Sequence, residues 1–401
     1  MEKNKPLYLP SELVIQILVR LPVKSLICFK CVCKSWFSLI SDPNFANSHF
    51  QLTATHTHRI LSISPFSLKT QSIDFESSLN HKSTSRNLNW LRRSSYLKIK
   101  GSCRGFLLLT ASSKLYLWNP STGFHRQIPA SPFYSDTLLF NFNLLYGFGY
   151  EQSRDDYLLV SLSYDVNHAS SQLEFFSLRD NTWKDIEGTG YPHYLDPKPV
   201  SLINGAIHWL AFRFDLMVHV IVVFDLMERK LLEIPTPDGF GHYDHYHKYI
   251  GLWVFGDFLS LWTKNDHIVE IWVMREYKVH SSWTKTLVFP TNAIPYFSPI
   301  YSTKNGDIIG TNGNTGLVKY NGKGQLLRQC SYRDDLGEPQ VVMYTESLLS
   351  LPHFLETLNK FKKTTQTRRL RSKKKCKDTI TSGIKKKKET MRSKWKRGAE
   401  S

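Results

Sequence analysis

The sequence predicts a mainly β protein, in which a β-propeller-like domain of about six blades follows a small all-α module and precedes a disordered basic tail. Three observations lead to this prediction. Apolar residues recur at helical spacing near the N-terminus, strand-like segments recur about every 48 residues in the middle, and lysine and arginine dominate the end. We therefore divide the chain into residues 1–50, 51–352 and 353–401.

The composition indicates a folded protein with reduced cysteines. Hydrophobic residues make up 41% of the chain and aromatic residues 13%, which is enough to build a core. The six cysteines lack regular spacing and the chain shows no secretory segment, as in proteins of the cytosol or nucleus. The most apolar run, residues 218–226, is far shorter than the about 20 residues that cross a bilayer. We expect no membrane association.

The first helix of the module is predicted from a four-residue apolar repeat. The residues of this repeat are Leu9, Leu13, Ile17 and Leu21. Pro10 suits a first helical turn, whereas Pro22 ends this helix and can begin a second one. Trp36, Leu39 and Ile40 predict a third, short helix that stops at Asp42-Pro43.

The module has more apolar surface than a surface helix needs. Units below about 40 residues seldom fold alone without a disulfide, a metal or a partner. The surplus therefore predicts docking on another protein. The alternative is that these helices pack on the rest of the chain.

Residues 9–45, LPSELVIQILVRLPVKSLICFKCVCKSWFSLISDPNF, resemble the F-box of plant F-box proteins. Gln16 departs from the usual acidic residue, and Cys28 from a common arginine. The resemblance implies binding to an SKP-type adaptor and, through it, to the cullin scaffold of an SCF ubiquitin ligase. The residues expected to contact the adaptor are Leu9, Pro10, Leu13, Ile17, Leu18, Leu21, Pro22, Leu26, Val32, Trp36, Leu39 and Ile40.

The middle of the chain repeats a strand that contains a landmark aromatic residue. These residues are Trp118, Phe176, Phe224, Trp272 and Tyr320, of which the last four are 48 residues apart. Such a period, with several strands per unit, is typical of propeller blades. Strand-like segments at residues 59–75 and 341–351 are predicted to combine in a closing blade, which gives six blades, with seven as the alternative. A two-sheet sandwich would not explain the period.

This region resembles the kelch-like F-box-associated domain of plants. The motifs are YGFGYEQSRDDYLLVSL (146–162), LINGAIHWLAF (202–212), EIWVMREYKVHSSWTKTLVF (270–289) and YTESLLSL (344–351). The resemblance implies recognition of a protein substrate for ubiquitination and proteasomal degradation. It does not identify that substrate.

Aromatic segments in one phase of the repeat are the predicted substrate-binding loops. They follow Ile128-Pro129, Ile186 and Ile234-Pro235, so they should emerge on one face of the ring. Their aromatic residues are Phe133, Tyr134, Tyr191, Tyr194, Phe240, Tyr243 and Tyr246. The alternative is that several of them cover their own blades.

No catalytic or metal-binding constellation is evident, so we expect a non-enzymatic protein without a cofactor. His242, His245 and His247 could bind a metal, but solvated loop histidines are the favoured interpretation. Cys28, Cys31 and Cys33 lie in an apolar helical segment and are expected to be buried. A propeller enzyme or metal-binding protein remains the alternative.

The tail carries most of the net charge of +18, because Lys360 and the residues after it include 18 Lys and Arg against three acids. Such runs stay disordered and are typical of nuclear targeting, or of nucleic-acid contact through the tail alone. We expect a nuclear and/or cytoplasmic protein. The candidate targeting residues are Arg368, Arg369, Arg371, Lys373, Lys374, Lys375, Lys385, Lys386, Lys387 and Lys388.

Overall fold

The computed structural model describes most of the chain up to residue 351. The described residues are 9–54, 58–64, 69–73, 84–88, 97–111, 114–131, 145–165, 170–186, 194–195, 201–213, 215–240, 249–265, 268–291, 294, 297–303, 305–313, 316–331 and 340–351. The helices and strands up to residue 349 belong to one compact unit.

The module consists of four short helices. They are α1 (Ser11–Leu18), α2 (Val23–Phe29), α3 (Lys34–Ile40) and α4 (Pro43–Thr53). Pro10 and Pro22 are the residues immediately before α1 and α2. The prediction that the first helix continues to Pro22 was wrong, because α1 ends at Leu18. The prediction of only three helices was wrong, because Asp42-Pro43 ends α3 and also begins α4. The Asp42 carboxylate accepts the backbone N–H of Asn44 at 2.9 Å and of Phe45 at 3.1 Å, which caps the new helix.

The module has a small core of its own. Its buried apolar residues are Leu18, Val19, Val23, Leu26, Ile40, Phe45 and Ala46. His49 of α4 is fully buried beside them, and its Nε2 lies 2.8 Å from the Leu21 carbonyl oxygen, which joins α4 to the segment between α1 and α2. Burial lowers the pKa of His49, so the neutral ring with a proton on Nε2 suits this bond.

The rest of the described chain is built from strands. They are β1 (His58–Ile63), β2 (Lys69–Ile73), β3 (Thr84–Asn87), β4 (Lys98–Cys103), β5 (Phe106–Ala111), β6 (Lys114–Trp118), β7 (His125–Ile128), β8 (Leu145–Glu151), β9 (Asp156–Asp165), β10 (Ser170–Ser177), β11 (Thr182–Ile186), β12 (Tyr194–Leu195), β13 (Ser201–Ile203), β14 (Ala206–Arg213), β15 (Val218–Asp225), β16 (Lys230–Pro235), β17 (Ile250–Phe255), β18 (Phe258–Asn265), β19 (Ile268–Met274), β20 (Trp283–Pro290), β21 (Phe297–Ser302), β22 (Ile308–Asn312), β23 (Gly316–Tyr320), β24 (Leu326–Ser331) and β25 (Gln340–Thr345).

These strands form a six-bladed β-propeller. Blades 1 to 5 are β4–β7, β8–β11, β12–β16, β17–β20 and β21–β24, and the closing blade has the order β25-β1-β2-β3. The innermost strands contact one another in a closed cycle from β25 through β4, β8 and blade 3 to β17, β21 and back to β25. The predicted count of six blades is confirmed. The predicted closing blade, which combines strands from both ends of the repeat region, is also confirmed, because Ile60 of β1 pairs with Met343 of β25.

The 48-residue period of the sequence arises from the third strand of each blade. The five landmark aromatic residues all lie there, in β6, β10, β15, β19 and β23. Four of them are buried, and Trp272 packs against the core between blades 3 and 4. Each blade buries its apolar face against its neighbours, so the same position needs a large apolar residue in every repeat.

Tryptophans of the fourth strands join neighbouring blades. Trp183 of β11 donates its indole N–H to the Pro129 carbonyl at 2.9 Å, and Trp283 of β20 donates to the Pro235 carbonyl at 3.2 Å. Pro129 comes directly after β7, and Pro235 is the last residue of β16. Each of these prolines follows an isoleucine, and each lies in the fourth strand of the preceding blade or directly after it. The repeated Ile-Pro motif therefore links blade 1 to blade 2 and blade 3 to blade 4.

The two faces of the propeller carry different segments. Helix α4 ends at Thr53 and leads to the start of β1. This start lies on the same side of the propeller as the turns after the first and third strands of each blade. We call this side the module face. Antiparallel strands alternate in direction, so the connection from each fourth strand to the next blade starts on the opposite side, which we call the connection face.

Candidate functional site: two protein-docking surfaces

The repeated apolar stripe of the first helix faces solvent. Leu13 and Ile17 lie four residues apart on one side of α1 and are 45% and 52% exposed. Leu9, which precedes the helix, is 51% exposed. The adjacent Pro10 and, after the helix, Pro22 are exposed as well. The most regular hydrophobic pattern of the module is therefore not used for its core, and it forms what we call the α1 stripe, Leu9, Leu13 and Ile17.

The predicted adaptor-contacting residues divide into three groups by burial. Leu18, Leu26 and Ile40 lie in the core of the module, so the expectation that they contact a partner directly is corrected. Leu21, Trp36 and Leu39 are half-buried, and the remaining members are exposed. The helices carry two neighbouring apolar stripes, and spacing alone does not tell which of them turns inward.

Some exposed residues of the module escaped the sequence prediction. Ile15 and Phe37 are exposed apolar residues that join the predicted Val32 on the module surface. Cys28, Cys31 and Cys33 are exposed, so the prediction that they are buried was wrong. Helix α2 ends at Phe29, which places Cys31 and Cys33 outside the helical register on which that prediction was based. Instead, the Cys33 sulfur accepts the backbone N–H of Trp36 at 3.5 Å, at the start of α3.

Arg104 connects the module to the propeller. It occupies the turn between β4 and β5 on the module face, and its guanidinium donates to Asn47 Oδ1 of α4 at 2.9 Å. The same group lies 5.0 Å from the ring centre of Phe50 in α4 and 3.9 Å from that of Tyr150 in β8. One side chain thus bridges the last helix and the inner strands of blades 1 and 2.

The backbone of Arg104 is unusual for this residue type. Its φ is +48°, a left-handed conformation that favours glycine and asparagine. The corresponding turn of blade 3 has Asn204 at this position, followed by Gly205 as Arg104 is followed by Gly105. Three contacts of its guanidinium, with Asn47, Phe50 and Tyr150, hold the arginine at this left-handed position.

The segment after β25 is fixed along the same face. Asn119 is fully buried, and its amide donates to the carbonyls of Ser347 at 3.1 Å and Leu349 at 3.4 Å. Ser121 Oγ accepts the Ser347 backbone N–H at 3.2 Å. These bonds hold residues 347–349 against blade 1, so the C-terminal end of the propeller is anchored beside the turn that carries Arg104.

Most of the predicted substrate-binding residues lie outside the described residues. These are Phe133, Tyr134, Tyr191, Tyr243 and Tyr246. Tyr194 is placed in β12 by its backbone, at the edge of blade 3. Phe240 is 5% exposed and packs in the core between blades 3 and 4, so for this residue the alternative, covering its own blade, agrees with the structure.

The connection face also presents an exposed apolar pair that the sequence did not point to. Leu216 and Met217 protrude at the turn between β14 and β15, and Met217 has a φ of +55°. Arg213 stands beside them and donates to both carboxylate oxygens of Asp215 and to Glu233 Oε2 at 2.7 Å. This network fixes the end of β14, from which the apolar pair projects.

The described residues contain no group of three His, Cys, Asp or Glu side chains that could hold a metal ion. His242, His245 and His247 lie outside them, as do all candidate targeting residues of the tail. Among the helices that the structure describes, none is long and apolar enough to span a bilayer.

A small helical module with an exposed apolar stripe on a six-bladed propeller defines the class of propeller-type F-box proteins. The F-box domain model matches residues 7–48, and the model of the F-box associated β-propeller domain matches residues 51–351. The chain belongs to this F-box associated β-propeller family. Its predicted resemblance to plant F-box proteins with an F-box-associated domain is confirmed.

Named relatives come from Arabidopsis thaliana. The chain is 30% identical to "F-box/kelch-repeat protein At3g23880" over 339 residues, which cover 80% of this chain and 89% of that protein. It is 27% identical to "F-box protein CPR1" over 345 residues, covering 77% and 81%. Among solved structures, TolB from Acinetobacter baumannii matches with a TM-score of 0.46 and 10% identity, covering 75% of this chain and 70% of that one.

Proposed function

We propose that this protein is the substrate receptor of an SCF-type ubiquitin ligase. The α1 stripe would bind an SKP-type adaptor and, through it, a cullin scaffold, and the propeller would bind a protein substrate for ubiquitination and proteasomal degradation. The family supports a receptor of the adaptor type and not an enzyme. In this role the chain supplies proximity, because it holds the substrate near a conjugating enzyme that performs the chemistry.

The exposure of the α1 stripe is the observation on which the adaptor proposal rests. Leu13 and Ile17 on one face of α1, and Leu9 just before it, remain about half exposed while the module fills its core with other residues. Exposed apolar surface of this kind is typical of a docking site for a partner. The F-box match gives the partner class, since an F-box implies binding to an SKP-type adaptor.

The double substitution Leu13→Ala and Ile17→Ala tests this proposal. Alanine keeps the helix and removes the exposed apolar groups, so we expect adaptor affinity to fall about tenfold or more while the module stays folded. Leu52→Ala is the matched control, because Leu52 of α4 is equally exposed but lies outside the α1 stripe. Affinity is measured by calorimetry with purified adaptor, and an unchanged affinity of the double variant would contradict the proposal.

We also propose that the basic tail directs the protein to the nucleus. Replacing Lys385, Lys386, Lys387 and Lys388 together with the basic residues of 368–375 by glutamine should shift a fluorescent fusion from nucleus to cytoplasm. The control replaces Lys360, Lys362 and Lys363, which lie outside the two clusters. Unchanged nuclear accumulation of the cluster variant, with lost retention on nucleic acid, would replace this proposal by nucleic-acid binding through the tail.

A further inference from the structure

Two lysines of blade 1 stand near the propeller axis on the connection face. Lys98 and Lys100 belong to β4, the innermost strand of this blade, close to the end where the strand begins. Lys98 is exposed and Lys100 is half-buried. Because the innermost strands surround the axis, both residues lie on the strand of this blade that is nearest the axis.

Lys100 is placed by a β-bulge. Ile99 pairs with Leu109 and Gly101 pairs with Leu108, so Lys100 has no cross-strand partner in β5. Bulges redirect single side chains and are frequent beside functional sites. The other bulge on an innermost strand, in β21 of blade 5, carries the apolar Ile300 at the extra position, so the bulge itself does not require a lysine.

The bulge is held in place from the closing blade. Gln340 of β25 accepts the Ile99 backbone N–H at 2.6 Å and donates to the Leu97 carbonyl at 2.5 Å. On the other side, the Lys100 Nζ lies 5.7 Å from the ring centre of Tyr146 in β8. The lysine is therefore positioned by the strands on both sides of it.

Neither lysine forms an ion pair with a carboxylate of the described residues. Other lysines of the propeller do, such as Lys285 with Glu270 and Lys319 with Asp307. Burial and the neighbouring Lys98 lower the pKa of Lys100 to about 8. A half-buried ammonium beside a second ammonium is electrostatically unfavourable, and an anion brought to it would remove that penalty.

We propose that Lys98 and Lys100 recognise an acidic segment of the protein substrate, whose carboxylates interact with the two ammonium groups at the start of β4 on the connection face. This inference rests on the proposed receptor function and names the chemistry that the connection face reads. Two separated lysines provide point charges without the planar fork of an arginine, which suits spaced carboxylates better than a bidentate phosphate.

Protection of Lys100 from chemical modification tests the inference in the full-length protein. The protein is treated with an amine-acetylating reagent at pH 8, and acetylation of each lysine is measured by peptide mass spectrometry. The probes are an octapeptide of alternating Glu and Gly, the same peptide with Gln for Glu, and the same peptide with phosphoserine for Glu. Because the readout is specific to each lysine, binding of acidic peptide to the basic tail does not obscure it.

We expect the Glu peptide to reduce acetylation of Lys100 at least fivefold, and the Gln peptide to leave it unchanged. Lys114 of the same blade is the internal control, because it is exposed on the blade's third strand and should keep its reactivity. In the Lys98→Gln variant, the protection of Lys100 from acetylation by the Glu peptide should fall to half or less. Stronger protection by the phosphoserine peptide would overturn the assignment to carboxylates, and no protection by either acidic peptide would overturn the site.

The assay does not involve the adaptor, so the two proposals fail separately. Adaptor binding without protection of Lys100 would reject the acidic-substrate site and leave the receptor function standing. Protection of Lys100 in a protein that does not bind the adaptor would reject the receptor function and leave an anion-binding propeller.

Discussion

Replacing Gly105 with alanine is expected to lower the free energy of unfolding of the propeller by about 3 kcal/mol. Gly105 has a φ of +85°, and a Cβ at this position would lie 2.2 Å from the Ser347 Cβ. Ser347 cannot move away easily, because its backbone is bonded to Asn119 and Ser121. Equilibrium denaturation in urea, followed by tryptophan fluorescence, measures the change.

Gly205→Ala is the matched control for this substitution. Gly205 occupies the same position in the corresponding turn of blade 3, with a φ of +69°, and nothing lies within 4 Å of an added Cβ. It should therefore show only the cost of the left-handed backbone, about 1 kcal/mol. Equal losses in the two variants would mean that the contact with residues 347–349 contributes nothing to the stability of the ring.

Replacing Arg104 with asparagine is expected to loosen the module from the propeller while the turn itself becomes less strained. Asparagine adopts the left-handed conformation more readily than arginine, so the turn should form at least as well as before. The bond to Asn47 and the contacts with the rings of Phe50 and Tyr150 are lost, which we expect to cost about 2 kcal/mol in the attachment of α4. Amide hydrogen exchange of α4 should become about 30-fold faster.

Arg126→Asn is the control for this experiment. Arg126 lies in the same blade and donates to Asn181 Oδ1 in the turn between β10 and β11, at a contact that does not involve α4. Its substitution should leave exchange in α4 unchanged. If the amides of α4 in the Arg104→Asn variant exchange at the wild-type rate, the guanidinium of Arg104 does not join the helical module to the propeller.

The repeat architecture could be predicted from the sequence because it is imposed at many positions at once. Phe176, Phe224, Trp272 and Tyr320 keep a constant spacing since each blade must bury the same position of its third strand. The shared closing blade was also predictable, because the strand-like segments at the two ends are each too short for a blade. Where many residues depend on one geometric requirement, the pattern survives variation at individual positions.

The surfaces were harder to predict than the architecture. Leu13 and Leu18 both belong to apolar stripes of α1, yet one faces solvent and the other is buried, because the choice depends on tertiary packing and not on spacing within the helix. Helix α4 itself was not predicted, because Asp42-Pro43 is equally suited to end one helix and to begin the next. Arg104 carries no sequence signal other than its place before Gly105, where asparagine is usual, and its role depends on contacts between distant elements.

The closing blade makes the order of synthesis matter. A ribosome releases the helical module and β1 long before β25, the strand that completes the sheet beside β1. Until Gln340–Thr345 has emerged, β1 keeps an open hydrogen-bonding edge, which invites pairing with other chains. A premature stop codon before position 340 would thus yield a product that has helices α1 to α4 but no finished ring. Under the receptor function proposed above, such a product would occupy the ligase scaffold without delivering a substrate.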